Sequence, residues 1–187
     1  LPAFHQASSK NDFPDAVSYT RFVELESRVF FKLMFFLNLH SFGRCTGITF
    51  VDSTMIPVCH NLRRYANKVF AGLATDGKGT MGWCHGFKLH FICNDRGEII
   101  MFCLTGANVD DRDPKVWSIL GKRIYGKLFA DRGYISPSLF EALFADGVHL
   151  VTGIRSNMKN KLMPLWDKIM LRKRYIIECI NHLLKDK

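Results

Sequence analysis

The sequence predicts an α/β domain: a mixed β-sheet with helices packed on its faces, preceded by a short N-terminal helical segment. Three observations carry that reading. Short β-branched and aromatic runs alternate with stretches of helical periodicity, in the order β, hairpin, α, β, α, β, α. Turn and capping residues fall between those runs. No linker, internal repeat or low-complexity tract divides the chain, and 187 residues suffice for one domain with a real core.

Residues 1–15 are polar and contain proline, and read as an arm or loop. Over residues 18–39, Phe22, Leu25, Val29, Leu33, Phe36 and Leu37 recur at helical spacing, which predicts one or two helices. Gly43 to Gly47 reads as a turn, and Ile48-Thr49-Phe50-Val51 as a short strand ending at Asp52. Residues 59–83 are basic and glycine-rich, and read as a long loop. Residues 86–104 predict a hairpin: Phe87, Leu89 and Phe91 alternate with their neighbours, and Asn94-Asp95-Arg96-Gly97 supplies the turn. Pro114 opens a helix that runs to residue 122. Lys127 to Ala130 is a strand ending at Asp131, and Ser136 caps a helix with Pro137 in its first position. Residues 148–152 are a further strand, and 164–185 a last helix. The expected division is an arm and helical segment over 1–45 and the α/β domain over 46–187.

The formal net charge is +9, from 26 Lys and Arg against 17 Asp and Glu. An enzyme of neutral metabolites has no need of that excess, whereas a protein that grips phosphates does. Six cysteines form no CxxC pair, and Cys93 and Cys103 fall in apolar strand runs, as buried reduced thiols do. The spacing of Cys59-His60 and Cys84-His85 fits no standard zinc finger. The longest apolar stretch, VFFKLMFFLNL, is too short to span a bilayer, so no membrane role and a cytoplasmic location are expected. The chain begins at Leu1 and stops inside a helical pattern, and so reads as a fragment of a longer protein.

Asp52, Asp131 and Glu178 stand out among the acidic residues. The first two follow β-type runs, and the third lies on an amphipathic helix. Carboxylates from distant parts of a chain, gathered in one place, hold hard divalent cations for phosphoryl chemistry. Taken singly, Asp52 and Asp131 read equally well as turn residues. The stripe of Arg174, Glu178, His182 and Lys185, opposite Ile176, Ile177, Ile180, Leu183 and Leu184, reads equally well as a solvated face. Asp110, Asp111 and Asp113 are a rival cluster, with Asp113 placed to cap the helix at Pro114. Arg63, Arg64, Lys68, Lys88, Arg155, Lys159 and Lys161 are candidate backbone contacts, each equally readable as a surface cation. Trp83 and Trp166 could stack on a displaced base, but core packing is their expected place.

Read together, the segments resemble the DDE transposases of bacterial insertion sequences. VDSTMIPVCHNLRR is similar to that group's first Asp block, GWCHGFKLHFICNDRGEII to its next strand pair, LTGANVDDRDP to the following connection, and KLFADRGYIS to the second Asp block. The tail resembles the Glu block, an Arg, three residues, Glu, six residues and Lys, here Arg174, Glu178 and Lys185. Where the group carries Tyr three places before that Arg, this chain carries Leu171. The resemblance covers nearly all of residues 10–187, with five blocks in order. It implies a ribonuclease H-like fold with Asp52 on the first strand, Asp131 after the fourth and Glu178 on a late helix. It also implies Mg²⁺ (or Mn²⁺), two ions held by Asp52, Asp131 and Glu178, with no other cofactor. Arg174 and Lys185 would contact phosphate near the cut bond. The implied partners are double-stranded DNA, as transposon ends and target, and a second copy of the chain in a dimer on DNA. The implied reactions are strand cleavage and strand transfer. Two other readings stay open: a metal-dependent nuclease of the same fold, and a catalytically inactive DNA-binding remnant.

Overall fold

The computed structural model describes residues 17–79, 82–155, 158–159 and 162–185, so the expected arm over 1–15 and Lys161 lie outside the described residues. The chain separates into two compact units, Leu1–Ser41 and Phe42–Lys187. In the first, helix α1 (Tyr19–Phe36) starts where the Ser18 hydroxyl accepts the Arg21 backbone N–H, and ends in a π-helical turn over Leu37–Ser41. The helical spacing is as expected, but α1 buries none of its residues.

The second unit is a six-stranded sheet with helices on both faces. Its strands are β1 (Ile48–Pro57), β2 (Thr75–Gly79), β3 (Gly82–Asn94), β4 (Ile99–Gly106), β5 (Gly126–Ala130) and β6 (Val148–Thr152). β3 pairs antiparallel with β1 on one side and with β2 and β4 on the other. β5 pairs parallel with both β1 and β6. The mixed sheet with flanking helices is compatible with the ribonuclease H-like fold.

Two apolar clusters fill the two faces. Val51, Ile92, Leu128 and Leu150 pack with α2 (Pro114–Leu120) and α3 (Pro137–Ala145), where Val116, Trp117, Leu120, Leu139 and Leu143 are buried. Phe50, Phe91, Phe129 and Val151 pack on the other side with Met170 of α4 (Leu165–Arg172) and Ile177 of α5 (Tyr175–Lys185). Alternate residues of each strand serve opposite faces. The caps form as expected: Asp113 accepts from Lys115 N, and Ser136 from Leu139 N, each ahead of a proline in the first turn. The buried Asp167 carboxylate on α4 accepts from Lys127 Nζ on β5 at 2.6 Å, tying that helix to the sheet.

Three expectations need correction. β1 does not stop at Asp52 but runs on to Pro57, because Ser53 to Pro57 keep their antiparallel partners on β3. The loop read over 59–83 contains β2, in whose TDGKG sequence only Thr75 favours a strand. Pairing with β3 makes it a strand, and Gly77 is required there because a Cβ would collide with the main chain of Ala107. The final helix is two helices that meet at Lys173 and Arg174, where neither proline nor glycine marks the change.

Candidate active site

Strand register brings the two aspartates together. β1 and β5 run parallel with Ile48 opposite Lys127 and Phe50 opposite Phe129. Asp52 stands two residues beyond Phe50 on β1, and Asp131 two residues beyond Phe129, just past the end of β5, so both lie toward the same end of the two paired strands, where the Asp131 charge acts on Asp52. Helix α5 covers the face that carries Phe50 and Phe129, with Ile177 fully buried against the phenylalanine cluster. The burial of Ile177 fixes the rotation of α5, and Arg174, Glu178 and Asn181 follow at spacings of four and three along one stripe.

The contacts follow from that placement. Asn181 Nδ2 donates to Asp52 Oδ2 at 2.5 Å. Arg174 Nη1 lies 3.5 Å from Asp131 Oδ1, which also accepts from Arg132 N at 2.6 Å. Asp131 is well exposed and Asp52 is not. Burial pushes the Asp52 carboxyl above its ordinary range; the Ser53 backbone and the Arg174 guanidinium oppose this, while the charges of Glu178 and then Asp131 add to it. The electrostatics therefore couple all three acidic residues and Arg174 at one locus.

The raised Asp52 pKa has a stability consequence. With the folded pKa above the unfolded one, the contribution of neutral Asp52 is fully present below the unfolded pKa and lost as pH rises through the folded value. Asp52→Asn is therefore expected to raise the Tm at pH 7, and the gain should vanish below about pH 4, the unfolded range of aspartate. Thermal unfolding of both proteins across that window checks it; a Tm gain that does not change with pH contradicts it.

The donor set suits a hard divalent ion in kind: three carboxylates, plus the Asn181 Oδ1, which is buried and has no hydrogen-bond partner. A cation would also relieve the cost of charging Asp52. In this arrangement no group of three His, Cys, Asp or Glu side chains among the described residues could hold a metal ion. Asp52 is turned to Asn181 and Asp131 to Arg132 and Arg174, so loading calls for those carboxylates to leave their present partners.

The other candidates separate by what they touch. Lys88 Nζ donates to the Val109 carbonyl at 2.6 Å and lies 3.4 Å from Asp111, so this cation braces the chain after β4 and is not presented to a phosphate. Arg64 stands over the Tyr65 ring at 4.7 Å and lies 3.4 Å from Asp76. Arg63, Lys68 and Lys159 are exposed, while Arg155 donates to the Arg132 carbonyl at 2.9 Å. Lys185 is the last residue of α5. The rival cluster is committed to loop structure. Arg112 grips Asp110 through 2.7 and 2.8 Å bonds and holds its carboxyl well below the usual range, while Asp113 caps α2. Trp83 and Trp166 are not core residues: they are 61% and 53% exposed.

Two neighbours of the site escaped the sequence reading. Asn181 carried a signal, since it lies three residues after Glu178 on the same helical stripe. Tyr134 carried less. It is buried against Trp117, and burial, with the charges of Asp111 and Asp52, pushes its hydroxyl well above its ordinary range.

Comparison with known proteins shows the family. None of the curated proteins compared with the chain matches it. The family model described as the transposase DDE domain matches residues 42–187, the whole of the sheet-bearing unit. No helix among the described residues is long and apolar enough to cross a membrane. The family acts on DNA and generally uses divalent metals. With most of its length matched, this chain belongs to the transposase DDE domain family.

Proposed function

We propose that this chain is the catalytic domain of a transposase that cuts DNA strands at the ends of an insertion sequence and joins them to target DNA. Asp52, Asp131 and Glu178 are the residues that would hold Mg²⁺ or Mn²⁺, as two ions. When bound, the ions activate the attacking oxygen and neutralise charge on the scissile phosphate. Asp52 supplies a carboxylate shielded from water, and Asp131 and Glu178 supply its solvent-facing partners. Arg174, released from Asp131 as that carboxylate turns to a cation, would meet a phosphate oxygen beside the cut bond, and Lys185 would act about three turns further on, at the end of α5. Arg63, Arg64, Lys68 and Lys159 would hold the DNA backbone without reading sequence. Joining two element ends to one target calls for two copies on the DNA.

The observation that carries this reading is that the helix bearing Glu178 reaches both aspartates, Asn181 donating to Asp52 and Arg174, just ahead of the helix, lying 3.5 Å from Asp131. Incubating the chain with a duplex carrying the element end, a target duplex and Mg²⁺ tests it. Nicked ends together with joined products are expected. Nicks without joined products would make the chain a nuclease of the same fold, and neither product with DNA binding intact would make it an inactive remnant.

A further inference from the structure

The register of β1 on β3 continues past the last residue of β1. Pro57 stands opposite Gly86, and the next residue, Val58, donates its backbone N–H to the His85 carbonyl at 3.0 Å. Three residues on, the Asn61 side chain donates to the Trp83 carbonyl at 2.7 Å. The chain bends at Val58 and Cys59 between these two bonds, and the bonds on either side hold Cys59 beside the part of β3 that carries Cys84, near enough for the charge of Cys59 to act on the Cys84 thiol. Extending the Pro57–Gly86 register by two residues would pair Cys59 with Cys84, at a non-hydrogen-bonded position because Val58 donates to His85 one step before it. There antiparallel strands bring Cα atoms to about 4.5 Å, inside the roughly 4.4–6.8 Å range that a disulfide accepts. The two strands run unusually close here, since a Cβ at Gly86 would collide with the Ile56 carbonyl. On its other side Cys84 faces Gly77, which has no side chain to compete for its sulfur. Both thiols are free and half-buried.

We propose that Cys59 and Cys84 form a reversible cross-strand disulfide that staples the base of the cationic excursion carrying Arg63, Arg64 and Lys68. The chemistry balances with a low-molecular-weight disulfide such as oxidised glutathione as the oxidant. One cysteine thiolate attacks a glutathione sulfur, the S–S bond breaks, and one glutathione thiolate leaves. The second cysteine thiolate then attacks the sulfur of the mixed disulfide and releases the second glutathione. Two protein thiols are oxidised, one glutathione disulfide is reduced to two thiols, and the two protons pass to the departing thiolates. Burial pushes the Cys84 thiol up, with the charges of Asp76 and Cys59 adding to it, so oxidation is expected to quicken as pH rises. Disulfide formation does not depend on whether the chain cuts DNA.

The test treats the whole chain with oxidised glutathione under native conditions, then applies non-reducing peptide mapping and thermal unfolding. The expected result is a Cys59–Cys84 linked peptide that dithiothreitol abolishes. It should be lost in Cys59→Ser and in Cys84→Ser, and kept in Cys179→Ser. Oxidation should raise the Tm of the parent by about 5–10 °C and leave Cys59→Ser unchanged. A parent chain that yields no such peptide, or links either residue to another cysteine instead, overturns the proposal.

Discussion

Asp131→Asn is expected to abolish metal-dependent strand cleavage, by about 10³-fold or more, while leaving duplex binding within roughly twofold. The substitution keeps shape and removes the negative charge. Asp131 is exposed at the end of β5, and its partners are the Arg132 N–H and the Arg174 guanidinium. An amide oxygen can still accept from both, so folding should survive. An uncharged amide holds a hard cation far less well than a carboxylate does, so the chemistry should not survive. Losing one negative charge also brings no new repulsion toward a phosphate backbone. A nicking assay with Mg²⁺, run beside fluorescence anisotropy on the same duplex, separates the two effects. Equal cleavage by the variant and the parent refutes the assignment.

Phe129→Ala is expected to cost about 3–5 kcal/mol of folding stability, close to the whole margin of many domains. Phe129 is fully buried, its ring lies 5.8 Å from that of Phe50, and it belongs to the cluster that seats Met170 of α4 and Ile177 of α5. Removing the ring leaves a cavity below the helix that carries Glu178. The loss is therefore expected in urea unfolding, with activity falling in step as α5 loosens. A midpoint within experimental error of the parent would show that α5 is held by something other than this cluster.

Much of this architecture was legible in the residues because it is written in local patterns. The alternation in Phe87, Leu89 and Phe91 with the Asn94-Asp95-Arg96-Gly97 turn gives β3 and β4, and the Ser136-Pro137 start gives α3. The glycine-rich β2 was hidden because its strand state comes from its neighbour β3 and not from its own side chains. The continuation of β1 was hidden for a related reason. Asp52-Ser53-Thr54 is good turn chemistry, and only pairing with His90 and Leu89 makes it strand.

The site divides in the same way. Sequence pointed to Asp52, Asp131 and Glu178, and the parallel register of β1 on β5, which no local pattern reveals, sets the two aspartates together. Lys88 stood among the candidate phosphate contacts, each equally readable as a surface cation. The internal carbonyl of Val109, which claims it, comes from a segment after β4. The two tryptophans read as core because their size usually demands burial, yet both stand at the surface.

The proposed chemistry requires Asp52, Asp131 and Glu178 to share one cation pocket. Mn²⁺ binding followed by electron paramagnetic resonance, with a DNA duplex present, tests it most directly. The parent is expected to take up Mn²⁺, and Asp52→Asn, Asp131→Asn and Glu178→Gln are each expected to weaken uptake by about tenfold or more. Undiminished binding in all three variants would contradict it.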